Sequence, residues 1–146
     1  MDHAIGRSRG GLSTKIHAVV NESGLPVRVL VTPGQASDKN AVPTLLDGLP
    51  AAQAALADRG YDSDAVLALV QERGSAAHIP STSRRIVRRS VDPELYRQCS
   101  LVERFFCKLK QFRRIATRFD KLARNFLAAV LLASTRIWLR AVESRP

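Results

Sequence analysis

Asp58 directly follows the apolar run of residues 54–57 and stands two residues before Gly60. The run reads as a buried strand, so the carboxylate would sit at its C-terminal end, where ligands bind in an open α/β sheet. Gly60 leaves room for a close backbone approach. A carboxylate held by a rigid element at the lip of a crevice is what a metal ion requires. The competing reading is an aspartate that caps the next helix. Asp62 fits that job better, because it leads Ser63, Asp64 and Ala65 into the helical stretch.

Glu103 lies in a second segment of interest. At about 100° per residue, Tyr96, Cys99, Lys110 and Arg114 all fall within about 40° of Glu103, while Leu101, Phe105, Phe112 and Ile115 take the opposite side. The glutamate therefore shares its face with a tyrosine and two cations, which keep it ionised. A surface glutamate in helix ion pairs with Arg104 or Lys110 is the alternative. Two carboxylates from different elements beside a cationic face suit divalent-metal and phosphodiester chemistry. Mg²⁺ (or Mn²⁺) is hard, prefers oxygen ligands and keeps several waters, so a few carboxylates plus substrate phosphate suffice. In a two-metal site one ion activates the attacking oxygen and the other stabilises the leaving one.

Charge points the same way. Residues 1–83 carry 7 basic and 8 acidic side chains, whereas residues 84–146 carry 16 and 5. One part is near neutral and the other is a polycation, so a partner of dense negative charge is expected, DNA first. Lys110, Arg114 and the loop cations Arg84, Arg85, Arg88 and Arg89 would hold its backbone. The alternative is a solvated helix face without a ligand.

The elements that must position these residues read as β-β-α-β-α-β-α-α over 146 residues, a length that suits one domain. Residues 1–12, glycine-rich and basic, read as a flexible arm. Residues 13–32 alternate as an antiparallel hairpin across Asn21-Glu22-Ser23-Gly24. A short helix from Ser37 or Asp38 stops at Gly48, and a second, capped by Asp62, runs over residues 63–73 to Gly74. Residues 76–79 make a last strand and residues 81–91 a basic loop. Asp92-Pro93-Glu94 starts a helix that continues to about residue 116, with a break near Gln98. The final helix opens after Asp120 and is apolar around most of its circumference, so it should be deeply packed or pair with another chain.

Composition excludes several classes. Hydrophobic residues are 45% and charged residues 25%, as in globular proteins. The longest uncharged stretch of the apolar C-terminal segment, residues 125–135, is 11 residues, against about 20 for a membrane span. Two cysteines and three histidines do not make a disulfide framework or a four-ligand zinc site, and a reducing cytosol is the simplest reading. His17 and His78 read as strand residues and Trp138 as a core or interface anchor. Cys99 and Cys107, eight apart on one helix, are too far apart to bridge.

The segments Ala57-Asp58-Arg59-Gly60-Tyr61-Asp62 and Leu101-Val102-Glu103-Arg104-Phe105-Phe106-Cys107-Lys108-Leu109-Lys110 resemble the insertion-sequence DDE transposases, specifically the insertion-sequence-five group. Gly6-Arg7-Ser8-Arg9-Gly10-Gly11 and Thr32-Pro33-Gly34-Gln35-Ala36 extend the resemblance over nearly the whole chain. It implies an α/β, RNase H-like fold in which an Asp-Asp-Glu triad binds metal, cuts insertion-sequence ends and joins them to target DNA. By position Asp58 matches the second aspartate and Glu103 the glutamate. Tyr96, Glu103 and Lys110 match the signature Tyr-x2-Arg-x3-Glu-x6-Lys, while Cys99 stands where the family has arginine. A bacterial, cytoplasmic, DNA-associated protein follows from the resemblance.

In the family the first aspartate lies on a strand upstream of the Gly6–Gly11 stretch. The expectation is therefore a partial catalytic domain over residues 13–146, truncated, lacking the first strand, with a helical C-terminus. Alone it would be inactive. It would act as a homo-oligomer or with an upstream-frame product. The alternative is a catalytically dead DNA-binding remnant or a regulator of a full-length transposase.

Overall fold

A computed structural model describes residues 4–8, 11–118 and 120–144. The protein is mixed α/β and divides into two compact units. One comprises Met1–Ala36 with Leu101–Pro146, the other Ser37–Ser100.

The first unit is built on three antiparallel strands, β1 (Gly6–Ser8), β2 (Gly11–Val20) and β3 (Pro26–Pro33), in that order. Where the sequence suggests an arm, Gly6 pairs with Ser13 and Ser8 with Gly11, extending the hairpin. Met1, Asp2, His3, Arg9 and Gly10 of that arm lie outside the described residues. The β2–β3 turn is held by the Asn21 side chain, which accepts from the Ser23 and Leu25 amides, and Gly24 takes a positive φ of 72°. Gly34 passes so close to β2 that a Cβ there would lie 2.0 Å from Ser13 Oγ and 3.0 Å from its carbonyl oxygen.

Ile16, Ala18, Val29 and Val31 turn one face of the hairpin to Phe105, Leu109, Ile115, Phe126 and Val130. Those residues come from α4 (Ser100–Lys110), α5 (Arg113–Ala116) and α6 (Ala123–Glu143). The Trp138 indole N–H donates to the Pro26 carbonyl at 2.7 Å and pins α6 to β3. Only one face of α6 is buried, since Leu131, Leu132, Leu139 and Val142 are exposed. By length and mean hydropathy alone α6 is long and apolar enough to cross a membrane, contrary to the reading from its uncharged stretch. Here Phe126, Val130 and Ile137 fill the core of this unit instead.

In the second unit a 3₁₀ turn (Asp38–Ala41) leads into α1 (Val42–Leu46). Strand β4 (Ala54–Leu56) pairs in parallel with β5 (Ala76–His78). Between them lie a second 3₁₀ turn (Arg59–Tyr61) and α2 (Asp64–Glu72). The cap of α2 is Ser63, whose hydroxyl accepts from the Val66 amide. Asp62 does not cap it, contrary to the sequence reading. Gly74 follows the helix at φ 77°, as a C-terminal stop should. Val42, Val66, Val70 and Ile79 form the core. Asp92 caps α3 (Pro93–Arg97) by accepting from the Glu94 and Leu95 amides, as expected.

Candidate functional site

Asp58 is where the strand–turn argument puts it. It follows β4 and forms the N-cap of the Arg59–Tyr61 turn. Its Oδ1 accepts the Gly60 amide at 2.7 Å, so one oxygen is anchored by backbone while the exposed side chain keeps the other open. Gly60 stands between two carboxylates. A Cβ on it would lie 2.8 Å from Asp58 Oδ1 and 3.7 Å from Asp38 Oδ2. Sequence reading gave Asp38 no part in this cluster, because the approach of the two 3₁₀ turns cannot be read from spacing. Burial, with the charges of Asp38 and Asp58 adding to it, pushes the Tyr61 phenol up to about 12. It stays protonated at neutral pH.

Glu103 lies in the first turn of α4, exposed, and makes no ion pair among the described residues. One expected break and one correction bear on the helix face. The chain breaks between Arg97 and Ser100, where the Gln98 and Cys99 amides bond three residues back to Leu95 and Tyr96. It breaks again at Phe112, whose extended ψ of 103° starts α5 and brings Ile115 into the core. Of Tyr96, Cys99, Lys110 and Arg114, only Lys110 therefore shares an uninterrupted helix with Glu103. Lys110 is exposed, and Arg114 reaches Asp120 at 3.4 Å with 74% of its side chain in solvent.

The four loop arginines do not behave alike. Arg84 and Arg88 are exposed and form no ion pair among the described residues. Arg85 and Arg89 turn inward to Asp62, whose side chain has no exposed area. Arg85 Nε donates to both Asp62 oxygens at 2.9 and 3.0 Å, and Arg89 Nη2 donates to Oδ1 at 2.5 Å. The Thr82 amide donates to Oδ2 at 2.7 Å. Burial pushes the Asp62 carboxyl up, but the Thr82, Arg85 and Arg89 donors outweigh it and hold the group well below the usual carboxylate range. Among the described residues Arg89 Nε is buried without an acceptor. Sequence reading missed Asp62 as a hub. The available signal was Ser63, a sufficient cap by itself, which leaves Asp62 without that job.

Each carboxylate, taken by itself within its own unit, is the kind of oxygen donor that a hard divalent cation prefers. Asp58 offers an open carboxylate oxygen on a rigid turn, and Glu103 an exposed carboxylate on a helix. Among the described residues no three His, Cys, Asp or Glu side chains converge as a ready metal cluster.

A sequence profile described as "Transposase DDE domain" matches residues 2–138. A curated Brucella ovis protein, "Putative transposase for insertion sequence element IS6501", is 39% identical over 130 residues. That alignment covers 88% of this chain and 100% of the relative. No solved structure matches the chain.

Proposed function

The chain belongs to the transposase DDE-domain family, and from that membership we propose that it supplies DNA transposition with two metal-holding carboxylates, Asp58 and Glu103, and a cationic DNA-binding surface. The observation that carries this reading is Asp58 at the end of β4, one oxygen fixed by the Gly60 amide and the other open. Glu103, exposed on a basic helix and without an ion pair among the described residues, supports it.

Bound Mg²⁺ or Mn²⁺ would activate the attacking oxygen and stabilise the leaving one. The chain's own part is to hold the cation through Asp58 and Glu103 and to bind phosphates through exposed cations. Arg84, Arg88, Lys110 and Arg114 are the candidates for the phosphates, with Tyr96 beside a sugar or base. The antiparallel β2–β3 hairpin and the parallel β4–β5 pair are the kinds of strand pairing an RNase H-like fold uses, which supports that assignment. We assign the remaining carboxylate of the triad to an aspartate on a strand N-terminal to Gly6, as the resemblance implies.

The test is strand cutting. A longer chain carrying an upstream strand with an aspartate should nick insertion-sequence-end DNA when Mg²⁺ is added, and residues 1–146 alone should bind DNA without cutting. Metal-dependent cutting by residues 1–146 alone overturns the incomplete triad. Binding without cutting in the longer chain favours the DNA-binding remnant or regulator.

A further inference from the structure

We propose that Asp62 latches the arginine loop, residues 81–91, onto the turn that carries Asp58. Arg85 and Arg89 are then positioning residues, and Arg84 and Arg88 are the loop's phosphate-contacting cations. The DNA half of this inference rests on the function proposed above, and the latch itself does not.

Asp62 closes the same 3₁₀ turn that Asp58 opens. Its buried carboxylate draws donors from three places along the loop: the Thr82 amide, Arg85 and Arg89. The Arg89 amide closes the loop on itself by donating to Ser81 Oγ at 2.9 Å, and Arg89 Nη2 donates to the carbonyl of Ile79, just before the loop, at 3.3 Å. Arg85 also reaches Asp64 on α2 at 2.7 Å. The turn is tied from its other side by Lys39 Nζ, which donates to the Asp62 carbonyl at 2.7 Å.

A buried carboxylate stripped of its partners is strongly unfavourable, so these arginines are not free to leave for a phosphate. Arg84 and Arg88, each next in sequence to an inward arginine, carry no such commitment. The loop is thus half anchor and half contact surface. Its anchor ends four residues from Asp58.

Two variants separate the roles, each measured in the 146-residue chain. Arg84→Ala with Arg88→Ala should lower the slope of log affinity against log salt for duplex DNA by about 2, at roughly 0.9 per phosphate contact. It should leave amide hydrogen exchange unchanged. Arg85→Gln with Arg89→Gln should leave the salt slope unchanged and speed exchange at residues 59–62 and 81–91 more than tenfold. In the longer, cutting-competent chain the inward pair should also slow cutting at saturating DNA without weakening binding. General destabilisation would lower both together.

An inward pair that lowers the salt slope as the outward pair does, or that leaves exchange untouched, overturns the latch. An outward pair that leaves the slope unchanged overturns the loop's role in DNA binding. The exchange result then still decides the latch by itself.

Discussion

Asp58 and Asp62 bracket one 3₁₀ turn and have opposite surroundings: Asp58 is exposed with an open oxygen, and Asp62 has no exposed side-chain area. Four residues apart, one carboxylate is available to a ligand and the other is spent on structure. The difference comes from the donors around each. Asp58 takes a single amide, whereas Asp62 takes an amide and two guanidinium groups.

Acid should therefore loosen the second unit. The Asp62 carboxyl is held below its unfolded-state value of about 3.9. Its stabilisation is complete above that value and is lost as pH falls toward the folded one. Asp62→Asn should cost about 3 kcal/mol at neutral pH, the low end for breaking a buried pair, because Arg85 and Arg89 keep 25% and 28% of their side chains in water. Denaturant titrations at pH 7 and pH 3 check both. The acid-dependent loss should be smaller in Asp62→Asn.

Asp58→Asn and Glu103→Gln preserve size and hydrogen bonding but remove the charge that holds metal. In a chain completed with the upstream aspartate, each should abolish strand cutting and leave DNA affinity unchanged or slightly raised. Nicking assays beside binding isotherms show it. Full cutting by Glu103→Gln would reduce that residue to surface charge.

Duplex-DNA affinity of the unmodified chain should fall steeply with salt, given 16 basic against 5 acidic residues over 84–146. Lys110→Ala and Arg114→Ala should each flatten the dependence by about 1 in slope. Binding that ignores salt would contradict the nucleic-acid reading.

Cys99 stands where the family signature has arginine. Cys99→Arg should tighten DNA binding by roughly 1 kcal/mol, one charge-assisted contact. Fluorescence anisotropy with the two chains at matched salt measures it directly.

Much of this architecture was legible because local chemistry marks it. The β2–β3 hairpin follows from alternation around the Asn21–Gly24 turn, and α3 from Asp92 and Pro93. Gly74 ends α2 where its positive φ permits. Asp58 was legible for the same reason, being the first polar residue after an apolar run. The break near Gln98 was legible, but the one at Phe112 was not fixed by spacing, since Phe112 leaves the helix to begin the turn that buries Ile115. Nor could spacing separate Arg84 from Arg85. Their different fates depend on Asp62, more than twenty residues earlier in the chain.

The first unit is sewn from the two ends of the sequence, with Trp138 bonded to Pro26 across 112 residues, whereas the second is one continuous stretch ending at Ser100. During synthesis, then, the second unit can close while its C-terminal neighbour is still untranslated. The hairpin made first must wait with Ile16, Ala18, Val29 and Val31 uncovered until α4–α6 arrive. A nascent chain stalled shortly after Ser100 should carry a protease-resistant middle and a sticky, degradable beginning.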